Sequence, residues 1–142
     1  MRLYLDSNVF ISVMRSEMDS SVRLLFRDGE DFFSLCKAQG IELVISDLFL
    51  KEVKRKTFLE KRDVEEFFGK EKIRIVASKT CGRKGALEIA NATGIHFSDA
   101  MHVCCALQSG CNAIVTWNKK DFEKARDLIQ CFNPVEFVQY NS

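Results

Sequence analysis

Four separate stretches of this sequence carry an oxygen-bearing side chain just after an apolar run or in the first turns of a helical pattern: Asp6, Glu52, Asp99, and the pair Asn118 and Asp121. Singly, each has a structural explanation. Asp6 can cap the helix that follows it, and Asp99 and Asp121 occupy first turns where the helix dipole favours negative charge. Glu52, among Lys51, Lys54, Arg55 and Lys56, reads as part of a solvated helix face with local ion pairs. Their joint placement says more, because gathered carboxylates repel one another and are tolerated chiefly when a cation neutralises them. Carboxylate, amide and water oxygens without Cys or His suit a hard divalent ion, Mg²⁺ or Mn²⁺. Such an ion activates bound water and clamps the oxygens of an in-line phosphoryl displacement, so the chemistry expected is phosphodiester hydrolysis.

The elements that must position these residues alternate. Residues 3–5 read as a strand, and Ser7 and Asn8 open a helix through residue 14. Ser20 is a candidate cap for an amphipathic stretch through Val22, Leu25, Phe26, Phe32, Phe33 and Cys36; Gly29 suggests a break and Gly40 a stop, giving two helices in a hairpin. Residues 42–45 read as a second strand, followed by a helix that Ser46 or Asp47 caps and that carries Glu52. A helical turn or two over 63–68 precedes a third strand over 73–77. Helices are then expected over 85–93 and 99–108, the second capped by Ser98 and ended at Gly110. A fourth strand over 113–116, a helix over 121–131 and, after Pro134, an extended piece over 135–138 complete the chain. Short apolar strands alternating with helices predict an α/β fold: a three-layer α/β/α arrangement around a mostly parallel sheet of four or five strands. In such sheets ligands bind at the strand C-terminal edge, where the strand order reverses, which is where these acids fall.

The chain has 142 residues, 46% of them apolar and 29% charged, which excludes a disordered chain and suits one domain over residues 1–142. A net charge of +1 excludes global steering toward polyanions, so a nucleic acid would have to be held by local basic patches. The six cysteines form no CxxC pair, and with no apolar leader at the N-terminus they read as free thiols in a reducing cytoplasm. No apolar run approaches the roughly 20 residues of a membrane span.

Three segments carry a family likeness: the opening LYLDSNVF, the helix SDLFLKEV, and the block FSDAMHVCCALQSGCNAIVTWNKKDF. Through them the chain resembles the PIN domain, above all the small single-domain PIN ribonucleases of VapC-type toxins. The last block is the most specific, since its acid, helix, Gly turn, strand and Thr116-Trp117-Asn118 triplet follow the family's order and spacing. The resemblance implies that Asp6, Glu52 and Asp99 are the family's three most regular acids, with the fourth position at Asn118 and Asp121 close by. Many relatives carry Asp where this chain has Asn118, and an amide supplies oxygen without charge. Thr116 matches a hydroxyl that supports the site, and Ser7 and Asn8 follow the first acid as in relatives.

The implied activity is Mg²⁺-dependent (or Mn²⁺-dependent) endoribonuclease action as the toxin of a toxin-antitoxin pair. A cognate antitoxin protein and a homodimer are the implied partners. Lys51, Lys54, Arg55 and Lys56, with Lys119, Lys120 and Lys124, are placed to neutralise flanking RNA phosphates. Trp117 reads either as a base-stacking platform or as packing, and His96 and His102 as packing or surface residues, because a metal can do a base's work. Phe26, Phe32, Phe33, Phe67 and Phe68 are mostly core, with a surplus that could form a dimer surface. Two other readings compete. One is a PIN-fold nucleic-acid-binding or interaction module whose catalysis is weakened at Asn118. The other is an aspartyl-phosphate enzyme or receiver, disfavoured because Asp6-Ser7-Asn8 lacks a second acid two residues on.

Overall fold

The computed structural model describes residues 1–17 and 24–141. Five strands form one all-parallel sheet in the order β3-β2-β1-β4-β5: β1 (Arg2–Leu5), β2 (Glu42–Ile45), β3 (Ile75–Ala77), β4 (Ala113–Val115) and β5 (Gln130–Phe132). The chain begins in the middle of the sheet, builds outward through β2 and β3, then returns to add β4 on the other side of β1. The order therefore reverses between β1 and β4, whose register pairs Leu5 with Val115.

Side chains alternate across the strands, and the two faces feed two cores. Leu3, Leu5, Leu43, Ile45, Ala113 and Val115 point into one. It is closed by α1 (Ser7–Met14), α2 (Leu25–Gln39), α3 (Asp47–Thr57), α4 (Lys61–Lys70) and α7 (Pro134–Tyr140), with Phe10, Phe32, Phe33 and Phe68 buried at its centre. Tyr4, Val44 and Ile114 point into the other, under α5 (Arg83–Thr93), α6 (Phe97–Gln108) and a short 3-10 helix, Lys119–Ala125. This is the three-layer α/β/α arrangement expected. No helix of the described residues is long and apolar enough to cross a membrane.

Several local expectations are corrected. The hairpin across Gly29 is instead one helix, α2, running through that glycine. The glycine serves packing: a Cβ there would lie 2.6 Å from Val13 Cγ2, so its absence lets α2 lie close against α1. The expected Ser20 cap and Val22 lie outside the described residues. Of the two candidate caps for α3, Ser46 is the one, its Oγ accepting from the Phe49 amide at 3.1 Å. Helix α6 starts at Phe97 behind His96, so Ser98 sits inside its first turn. The helix expected over 121–131 is only the 3-10 turn, after which the chain pairs with β4 as β5. The last extended piece is the helix α7. Pro134 stands at its first position, where a fixed φ suits a helix start and no amide hydrogen is needed. A reciprocal capping box between Asn133 and Glu136 adds to this, and together they outweigh the β-branched side chains of Val135 and Val138.

The cysteines are not all free thiols. Cys81 and Cys104 are bridged, with Cα atoms 5.7 Å apart, because the segment leading into α5 lays Cys81 against the middle of α6. Cys36, Cys105, Cys111 and Cys131 are free, and burial pushes the Cys36 and Cys131 thiols up to about 12 and that of Cys111 to about 11.

Candidate active site

At the C-terminal edge of the sheet, over the reversal between β1 and β4, lies a cavity of about 380 Å³. Asp6, Ser7, Asn8, Glu52, Asp99, Asn118 and Asp121 all line it, so segments far apart in sequence reach one hollow. Thr116 stands just behind, fully buried.

The strand ends fix the floor. Asp6 follows β1 and its amide donates to the Val115 carbonyl at 3.0 Å, continuing the β1–β4 ladder by one residue. It occupies the N-cap position of α1, but its side chain makes no capping bond. Instead Asp6 Oδ2 accepts from Thr116 Oγ1 at 2.6 Å. The same hydroxyl accepts from Asn8 Nδ2 at 3.1 Å and from the Asn118 amide at 3.0 Å. Its hydrogen and both lone pairs are committed, so Thr116 orients Asp6 and is no nucleophile. Asn8 Oδ1 in turn accepts from the Trp117 amide at 3.1 Å, tying the start of α1 to the loop after β4. Ser7 is buried beside Asp6 as the first residue of α1.

The walls differ in charge. Asp99, in the first turn of α6, is half-buried, and its carboxyl is pushed above the usual carboxylate range by desolvation, then by the neighbouring charges of Asp121 and Asp6. Asp121 is exposed, as is Asn118, which occupies the N-cap position of the 3-10 helix without a side-chain capping bond. No ion pair involves Asp6, Asp99 or Asp121 among the described residues. Glu52, on α3, is the opposite case: its oxygens meet Arg55 Nη2 at 2.8 Å and Lys56 Nζ at 3.1 Å, and these cations hold its carboxyl below the ordinary value.

Among the described residues no three His, Cys, Asp or Glu side chains converge tightly enough to form a finished metal cage. The donor set still fits Mg²⁺, which retains several waters and is typically held by only one or two carboxylates. Asp99 is raised first by desolvation and then by repulsion from Asp121 and Asp6, and a bound cation would relieve that repulsion.

Of the basic residues, Lys51, Arg55 and Lys56 line the cavity. Lys54 pairs with Glu60 and Lys119 with Glu136, so neither is free to meet a phosphate without breaking a pair. Trp117 packs against the larger core and donates from Nε1 to Ser12 Oγ at 3.1 Å, the packing reading of that residue. Sequence reasoning passes over Tyr4, which is buried, and reads His102 as a packing or surface residue. The His102 ring in fact lines the cavity, with its Nδ1 2.6 Å from the Tyr4 hydroxyl. The available signal is spacing, since His102 lies about one turn beyond Asp99 and so on the same helix face.

The family model described as PIN domain matches residues 3–128. The chain belongs to the PIN-domain family. No curated protein matches the chain significantly. Among solved structures, this PIN domain is similar to a chain of a toxin-antitoxin complex from Klebsiella pneumoniae, at 15% identity and a TM-score of 0.60, over 94% of this chain and 98% of that one. It is also similar to PAE2754 from Pyrobaculum aerophilum, at 14% identity and a TM-score of 0.48, over 99% of this chain and 88% of that one. At 15% identity the likeness to the Klebsiella pneumoniae chain speaks to the fold alone, and the PIN assignment rests on the family match.

Proposed function

We propose that this PIN domain, acting as one unit over residues 1–142, is a divalent-metal-dependent endoribonuclease and the toxin of a type II toxin-antitoxin pair. PIN domains are generally nucleases that use divalent metals, and one structural neighbour is a chain of a toxin-antitoxin complex. The observation that carries the reading is that Asp6, Asp99 and Asp121 line one cavity at the sheet reversal and none of them forms an ion pair among the described residues. Asp6, Glu52, Asp99, Asn118 and Asp121 would hold Mg²⁺ or Mn²⁺, directly or through water. Asp121 would supply at the fourth position the charge that Asn118 lacks. When bound, the ion supplies a hydroxide-like water and charge neutralisation for phosphodiester hydrolysis.

The protein's own residues then have separate tasks. Thr116 and Asn8 hold Asp6 in place, and Asp99 sets the depth of the negative well. Lys51, which has no ion-pair partner among the described residues, steers a phosphate toward the rim. RNA as substrate, a cognate antitoxin, a homodimer and a cytoplasmic location complete the proposal. Glu52's two ion pairs favour the rival reading, a PIN module with weakened catalysis, because they spend one acid's charge inside the protein.

Incubating purified protein with structured and unstructured RNAs plus Mg²⁺ or Mn²⁺ decides between them. The nuclease reading expects cleavage that EDTA stops and that Asp6→Asn and Asp99→Asn both remove. Absence of metal-stimulated cleavage, or cleavage indifferent to EDTA and both substitutions, would overturn it.

A further inference from the structure

A buried chain of hydroxyls runs from α3 through β1 to α6. Ser46 Oγ accepts from the Phe49 amide, and it lies 2.8 Å from the Tyr4 hydroxyl, which lies 2.6 Å from His102 Nδ1. Ser46 and Tyr4 are buried, so every hydroxyl hydrogen needs an acceptor inside the protein. Apart from the Phe49 amide, itself a donor, the only partner of Ser46 Oγ among the described residues is the Tyr4 oxygen. Ser46 must therefore donate to Tyr4. A phenol is protonated at neutral pH, and with the Tyr4 oxygen taking the Ser46 hydrogen, the one acceptor left for its own proton is His102 Nδ1. With Nδ1 accepting, the neutral imidazole carries its hydrogen on Nε2. The reverse direction would strand the Ser46 hydrogen in the core.

The ring is also fixed in space. Tyr4 meets it edge-on at 5.7 Å and Phe122 meets it edge-on at 6.4 Å, both measured between ring centroids. Nε2 is its remaining polar atom. It has no hydrogen-bond partner among the described residues, and the ring lines the cavity that holds Asp6, Asp99 and Asp121. A neutral donor differs from a lysine here: it offers a hydrogen to an oxyanion without forming an ion pair with the acids around it.

We propose that the Ser46–Tyr4 chain locks His102 as its Nε2–H tautomer, and that this N–H donates to a phosphate oxygen of the RNA strand. The proposal rests on the ribonuclease reading and adds to it a substrate-contacting residue that is neither a general base nor a metal ligand.

Two measurements test it. The chain has only two histidines, and His96 is exposed, so ¹⁵N–¹H correlation of the imidazoles in the wild-type protein assigns the neutral tautomer of His102 directly. Nε2–H is expected for the wild type and a mixture for Tyr4→Phe; Nδ1–H in the wild type overturns the proposal whatever RNA does. The second measurement compares RNA cleavage by His102→Gln, which keeps an N–H at similar reach, with His102→Leu. Gln also brings an amide oxygen that can accept from Tyr4 and Leu does not, so the pair is compared in a Tyr4→Phe background as well, where no phenol hydrogen needs an acceptor and the difference isolates the donor. Leu is expected to lose about 10- to 100-fold, as for a hydrogen bond to a charged acceptor, while Gln stays within about threefold of the wild type. Equal activities of the two variants beside an active wild type would overturn this inference alone. An inactive wild type would instead bring down the ribonuclease reading, and this inference with it.

Discussion

Two walls of one cavity treat carboxylates in opposite ways. On α3, Glu52 is matched within its own helix by Arg55 and Lys56, at spacings of three and four residues that place all three on one face. At the strand ends and on α6, Asp6, Asp99 and Asp121 come from different parts of the chain, and none of them forms an ion pair among the described residues. The first wall is balanced by local sequence. The second is left unbalanced by the fold, and an imbalance kept at a sheet reversal is what a cation-dependent site requires.

The largest expected effect separates the walls by activity. Asp6→Asn and Asp99→Asn should each reduce metal-dependent RNA cleavage by at least about a hundredfold, whereas Glu52→Gln, whose charge is already matched, should retain more. If Glu52→Gln proves as inactive as Asp6→Asn in the same assay, Glu52 leaves its partners to join the other acids and the contrast fails. Next in size is Thr116→Val, which keeps shape but removes the hydroxyl that fixes Asp6. A loss of about 10- to 100-fold in activity or in apparent Mg²⁺ affinity is expected, as for groups that orient metal-binding side chains.

The smallest effect is thermal. Because Asp99 has a raised folded value, its charge opposes folding above that value and costs nothing below the unfolded one. Asp99→Asn in EDTA at neutral pH should thus raise the midpoint by about 2–4 °C per kcal/mol relieved. Glu52 has a lowered folded value, so its charge favours folding above the unfolded value, and Glu52→Gln should lower the midpoint slightly. Both differences should vanish as pH falls below the carboxylate range. Calorimetry showing the two shifts with the same sign would erase the distinction between the walls.

What the sequence discloses follows the same division. Local signals suffice for β1, β2 and β4, whose short apolar runs end in turn or capping residues, and for the cations beside Glu52. They also offer Asp6 as a cap. Only the fold shows that its carboxylate turns away from the helix toward Thr116, because that choice depends on a pairing 110 residues away. The same holds for Gly29, a helix breaker by propensity that becomes a contact point once α1 arrives beside it. The bridge between Cys81 and Cys104 likewise has no short-range signature. The helix α7 is a different kind of miss: Asn133, Pro134 and Glu136 spell a helix start, and the valines draw attention from it. Tyr4 is hidden by its company, since a tyrosine within an apolar run reads as packing until the alternation of the strand shows where its hydroxyl goes.

Placing β4 beside β1 also sets a schedule. During synthesis, Asp6 leaves the ribosome 110 residues ahead of its hydroxyl partner, Thr116, so the bond between them has to wait for the whole intervening chain. Until Thr116 emerges the hollow has no floor, and whatever chemistry it performs is withheld from the nascent chain.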